Sequence, residues 1–140
     1  MKNRSVLFLF CLIVITAFFA GSPFQKKQNF DLKSSVTRGA EIYTAYCVSC
    51  HMDNGEGLQD FYPPVAKSDY LMADKNRSIQ QVLYGVSGEM TVNGKKYNLE
   101  MSGFDLTDQE VSDVLNYIRN SFGNKGAAVT PAEVNAQRRK

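Results

Sequence analysis

The chain has little of what most catalytic and metal sites are built from. It contains one histidine and three cysteines in 140 residues. Cys11 lies inside an N-terminal apolar run and the other two cysteines share one short segment. No pair is therefore left to bridge distant parts of the chain as a structural disulfide. A single histidine leaves no second imidazole for the distant ligand pair of a tetrahedral zinc site. No βαβ pattern is visible, which removes the usual setting of a thioredoxin-like Cys-x-x-Cys. No internal repeat is present, and no serine can be placed beside a base. Charge is also nearly balanced, with 16 Lys and Arg against 14 Asp and Glu. Between Ser34 and Lys125 there are 8 basic and 12 acidic residues, and basic residues gather in the flanks at Lys26, Lys27, Lys33, Arg138, Arg139 and Lys140. A mildly acidic centre with dispersed basic ends is not a nucleic-acid surface.

The few cysteine and histidine residues outside that run are adjacent: Cys47-Val48-Ser49-Cys50-His51. Cys-x-x-Cys-His is the attachment signature of c-type haem. Two thiols add across the two vinyl groups, and the two-residue spacer on a helical turn sets both sulfurs within reach. The next residue presents an imidazole to the iron. A zinc site using Cys47, Cys50 and His51, a redox-active cysteine pair and a simple disulfide are the alternatives, and the disulfide gives His51 no role.

Residues 1–22 read as an export signal. Lys2 and Arg4 are followed by an almost wholly apolar stretch from Val6 to Ala20. That stretch is short beside the roughly 17–25 residues of a full span. Its cleavage sites are poor, since Phe18 or Pro23 occupies a position that prefers otherwise. Retention of the segment would anchor the protein to the outer face of the cytoplasmic membrane; cleavage would release it into the periplasm. Residues 23–33 read as a linker.

A domain is expected over 34–125. Helical patterning begins near Ser35, with Gly39, Ala40, Tyr43 and Cys47 on one face. Asp53 to Gly57 is a turn by composition, and Tyr62-Pro63-Pro64-Val65 is extended because each proline restricts its predecessor. Ser68 can cap a short helix. Ser78 to Tyr84 predicts another helix, stopped by Gly85. Met90 to Tyr97 predicts a hairpin around Asn93-Gly94. Thr107-Asp108-Gln109-Glu110 is a capping box with a Leu106–Val111 staple. The helix it opens runs to Phe122 with Gly123 as its left-handed cap. Residues 126–140 read as a tail, in which Thr130-Pro131-Ala132-Glu133 opens at most a short helix.

From Ser34 to Asn124 the chain resembles the class I c-type cytochromes. A helix enters Cys-x-x-Cys-His, a proline-containing loop follows, a methionine arrives late and a final helix closes the unit. Phe61-Tyr62-Pro63-Pro64-Val65, Val92-Asn93-Gly94-Lys95-Lys96-Tyr97 and Leu115 to Asn124 look like a bacterial periplasmic branch of that family. The resemblance implies an all-α fold with crossing terminal helices, short middle helices and a minor hairpin, around one covalent haem c. It implies thioethers at Cys47 and Cys50, His51 as proximal iron ligand and Met101 as distal ligand. Pro64 matches the proline whose carbonyl accepts the imidazole N–H. Gly39 and Tyr43 would pack on Val114 and Tyr117, and Met72 and Met90 would be packing residues.

The implied function is one-electron transfer outside the cytoplasm, without catalysis. Its partners would be a periplasmic or membrane oxidase, reductase or dehydrogenase. One departure stands out: Ser102-Gly103 follows Met101 where the branch commonly has proline. A glycine there predicts a looser ligand loop. It keeps open the alternative of a haem enzyme or gas-binding sensor with a labile distal Met.

Overall fold

A computed structural model describes residues 30–138. The signal reading of 1–22 and most of the linker therefore lie outside the described residues. No helix among those described is long and apolar enough to cross a membrane.

Among the described residues, six helices and four very short strands make up the fold. The first helix, α1, spans Leu32–Tyr46, and a single turn, α2, spans Val48–His51. Helix α1 starts inside the segment read as linker, because the Asp31 side chain accepts from the Lys33 amide and caps it. Its buried residues are Ser35, Gly39 and Tyr43, spaced four apart along one face. Two helices follow the proline loop, α3 (Asp69–Ala73) and α4 (Lys75–Tyr84). Ser68 caps α3 as expected. Asp74 caps α4 through the Arg77 amide, so α4 begins three residues before its apolar pattern does.

Strands β1 (Gly85–Val86), β2 (Met90–Val92), β3 (Lys95–Tyr97) and β4 (Met101–Ser102) form two antiparallel pairs, β1 with β4 and β2 with β3. The β2–β3 hairpin turns at Asn93 and Gly94, both with positive φ.

Helix α5 (Asp108–Asn120) opens on the Thr107 capping box, with Leu106 and Val111 both buried in one cluster. It stops two residues earlier than its apolar spacing suggests. Phe122 leaves the helix with φ 54°, and its ring joins those of Tyr43 and Tyr117 at centroid distances of 5.2 and 5.3 Å. Aromatic packing against α1 outweighs one more helical residue.

Helices α1 and α5 cross at Gly39. A Cβ there would lie 2.0 Å from the Asp113 carbonyl oxygen and 2.8 Å from Tyr117 Cβ. Ser35 Oγ donates to Asp113 at 2.5 Å, and Arg38 clamps the same carboxylate with two bonds of 2.7 and 2.8 Å.

Helix α6 (Pro131–Gln137) corrects the reading of 126–140 as a tail. Val129 and Val134 are fully buried with Ile79, Leu83, Leu106, Val111 and Leu115. The cause is a long-range lock. Asn116 on α5 donates to the Val129 carbonyl at 2.8 Å and accepts from the Val129 amide at 2.7 Å. The Gly- and Ala-rich segment 126–130 is thereby drawn onto the core.

Candidate functional site

Helix α1 ends where the Cys-x-x-Cys-His segment begins. The Cys47 amide still donates to the Tyr43 carbonyl, and α2 then carries Cys50 and His51 around one turn. Cys47 and Cys50 are not joined to each other. Burial raises the Cys47 thiol to about 11, with the neighbouring Cys50 adding to the effect. A thiol held protonated is the reverse of a redox-active pair, whose attacking cysteine is a stabilised thiolate.

His51 Nδ1 lies 2.9 Å from the Pro63 carbonyl oxygen. A carbonyl only accepts, so Nδ1 carries the proton and the lone pair resides on Nε2. Burial lowers the His51 pKa, against the upward effect of the Pro63 bond, so the ring is neutral at pH 7. The accepting carbonyl belongs to Pro63, which corrects the assignment to Pro64. In extended backbone successive carbonyls point in opposite directions, so a one-residue offset decides which faces the ring. The offset is fixed by the Leu58–Tyr62 bridge and by Gly57, where a Cβ would sit 2.3 Å from the Tyr62 oxygen and 2.7 Å from the Pro63 oxygen. Pro64 itself lines the cavity beside the ring. Behind the ring, Tyr43 Oη donates to the Met52 carbonyl at 2.7 Å. That bond ties α1 to the chain leaving His51.

Cys47, Cys50, His51 and Met101 all border one cavity of about 410 Å³. Its walls come from widely separated parts of the fold: Val65 from the proline loop, Leu71 and Val82 from α3 and α4, and Val114, Leu115 and Ile118 from α5. Met90 also lines it, so this side chain, read from sequence as packing, faces the site as well. Met101 sits on β4, paired with Val86 of β1. Among the described residues, one buried side-chain nitrogen or oxygen has no hydrogen-bond partner, Arg77 Nε. The Arg77 guanidinium lies 3.8 Å over the ring of Tyr70, which borders the cavity with Gln81.

A family model described as Cytochrome c matches residues 36–122. The chain belongs to the cytochrome c family. Cytochrome c-552 of Thermus thermophilus is 41% identical to it over 91 residues, covering 61% of this chain and 69% of that protein. The cytochrome c subunit of an alcohol dehydrogenase (quinone) from Gluconobacter oxydans is 32% identical over 96 residues, covering 67% of this chain and 20% of the subunit. A fructose dehydrogenase cytochrome subunit from Gluconobacter japonicus is 32% identical over 104 residues, covering 69% of this chain and 21% of the subunit. The chain thus spans about one fifth of each dehydrogenase subunit.

As a cytochrome c, it is an electron-transfer protein that carries covalent haem c. The residues present fit that group. The cavity is apolar on most sides and falls in the size range of cofactor sites. Two thiols and a neutral imidazole stand together at one wall, and a thioether comes from β4.

Proposed function

We propose that this cytochrome is a monohaem electron carrier working outside the cytoplasm, with Cys47 and Cys50 as the thioether attachment points, His51 as proximal ligand and Met101 as distal ligand. The observation that carries this reading is that these four side chains border one cavity. Haem, when bound, supplies a one-electron couple. A thioether ligand favours the reduced state and raises the potential.

The chain's own residues do the remaining work. Pro63 holds the imidazole in one tautomer and orientation, which is the outer-shell role such carbonyls play for metal-bound histidines. Val65, Val82, Val114 and Ile118 give the cavity apolar walls that would keep water from a bound haem, and Tyr70 and Gln81 supply polar groups at its border. His51 and Met101 together would hold the iron and leave no position on it for a substrate, which supports electron transfer rather than catalysis.

The dehydrogenase cytochrome subunits among its relatives support a dehydrogenase as one redox partner. The apolar N-terminal segment supports export. Mass spectrometry of the mature N-terminus decides between release and anchoring: a start between Gly21 and Phe24 means cleavage.

Spectroscopy tests the ligand set. The oxidised protein is expected to show the weak far-red charge-transfer band of Met–Fe(III), and the reduced protein to bind carbon monoxide slowly. Met101→Ala should abolish the band, lower the potential and open the iron to carbon monoxide. Met90→Ala should keep the band, because Met90 belongs to the separate β2–β3 hairpin. Loss of the band in Met90→Ala instead, or rapid carbon monoxide binding by the wild type, would overturn the ligand assignment.

A further inference from the structure

The glycine after Met101 raises the question of what keeps the ligand strand in place. Two glycines, Gly85 and Gly103, stand on opposite sides of one backbone contact. A Cβ on Gly85 would lie 2.2 Å from the Met101 carbonyl oxygen and 2.8 Å from the Gly103 nitrogen. A Cβ on Gly103 would lie 2.6 Å from the Leu83 carbonyl oxygen and 2.7 Å from the Tyr84 Cα. All of these near atoms are backbone, which cannot swing aside. Gly85 also holds φ 80°, which L side chains rarely adopt.

Around this contact the strand is fastened at both ends. Val86 pairs with Met101 and Gly85 with Ser102 in an antiparallel ladder. Two residues past Ser102, the Phe104 amide donates to the Val82 carbonyl at 3.0 Å. The base to which it is fastened is rigid: Ile79 and Leu83 of α4 are buried in the core.

We infer that Gly85 and Gly103 form a backbone clasp that docks the Met101 strand on the C-terminal end of α4 and thereby positions the distal ligand, taking the place of the stiffening proline. A glycine that permits backbone-to-backbone contact restrains the strand. The loose loop expected from composition is replaced by one held on both sides of Ser102. Gly85 and Gly103 are positioning residues, acting on the iron only through Met101. The inference rests on Met101 being the ligand.

The test uses the haem-loaded protein. Gly103→Ala should push the strand off α4, weaken the far-red band at neutral pH and raise the fraction of iron open to added ligand. Apparent affinity for an external ligand scales with that fraction, so carbon monoxide should bind the reduced variant about tenfold more tightly or more. Val134→Ala, a core truncation on α6 outside the clasp itself, should lower thermal stability with band and carbon monoxide affinity unchanged. Unchanged band and affinity in Gly103→Ala would overturn the clasp. So would equal changes in Val134→Ala, which would make the effect one of general stability. Should Gly103→Ala fail to fold, hydrogen exchange of the wild type decides. The Phe104 and Met101 amides should exchange as slowly as those of α4, and exchange at loop rates would overturn the clasp. Met101→Ala separates the two ideas: a band that survives it removes the ligand assignment, whereas a band lost in Met101→Ala but untouched in Gly103→Ala removes only the clasp.

Discussion

At the scale of single residues, the α1–α5 crossing leaves no room for adjustment. Gly39 faces a carbonyl, so even Gly39→Ala places a methyl 2.0 Å from the Asp113 oxygen. Overpacking of this kind costs about 1–3 kcal/mol. Urea denaturation of the holoprotein should show that loss, with exposed Glu41→Ala near zero. Asn116 is the second fixed point. Its side chain makes four buried bonds, to Ser35 Oγ, to Ser112 Oγ and to both backbone groups of Val129. Asn116→Ala strands the Val129 amide in the core, whereas the Val129 carbonyl keeps its bond from Ser112 Oγ, and about 1–3 kcal/mol is the expected cost by the same measurement. Asn120→Ala, which removes one bond to the Asn116 carbonyl, should cost a fraction of that. Neither Asn116 nor the Arg38–Asp113 clamp was legible in the sequence. Their partners lie 13 and 75 residues away, and no local pattern reports such a pairing. Pro63 was misread for a related reason: two adjacent prolines differ only in which way their carbonyls point. The covalent motif was legible because its chemistry fits within five consecutive residues.

At the scale of elements, legibility followed the range of the signal. The caps at Ser68, Thr107 and Thr130 act over three residues, and all three were visible. The Asn93-Gly94 turn was visible because two positive φ values are needed in succession. The start of α1 was not, because Asp31 has Ser34 three residues on, where a Glu or Gln would complete a capping box. Helix α6 was seen as a helix and misplaced as a tail, since its burial depends on α4 and α5. Val134→Ala should therefore cost about 1.5–3 kcal/mol, as in other core truncations. The same element gives the fold a pH dependence. Arg138, and then Asn135, hold Asp108 below the usual carboxylate range. Partial burial pushes Glu133 up, but Lys75 and the Thr130 box outweigh it and leave it lowered. Depressed folded pKa values mean that this stabilisation is complete above the unfolded values of about 4 and is lost as pH falls through the folded ones. Melting temperature should fall below about pH 4, and Asp108→Asn should be less stable than wild type at pH 7 and converge on it in acid.

At the scale of the whole molecule, the cavity defines what the polypeptide can do alone. Its walls are the inner faces of α3, α4 and α5 and of the proline loop. Without haem these largely apolar walls would be left open to water, forfeiting about 25 cal/mol for each Å² of apolar surface the group would cover. A small domain has a total stability of only about 5–15 kcal/mol to set against that loss. Cys47→Ala with Cys50→Ala should therefore give a chain with little helix by circular dichroism and no cooperative melt. The burial of Cys47 then bears on the order of events in the protein's making. A thiol raised to about 11 is a poor nucleophile, whereas in an open chain it returns to about 8.5. The attachment segment precedes α3 to α6, so when it emerges the elements that bury it have yet to follow. Attachment at these cysteines, as proposed, would therefore have a window, open while they are exposed and closing as α5 settles on α1. A chain that folded quickly without its cofactor would shut out the reaction that completes it, and the expected instability of the empty form would keep that window open.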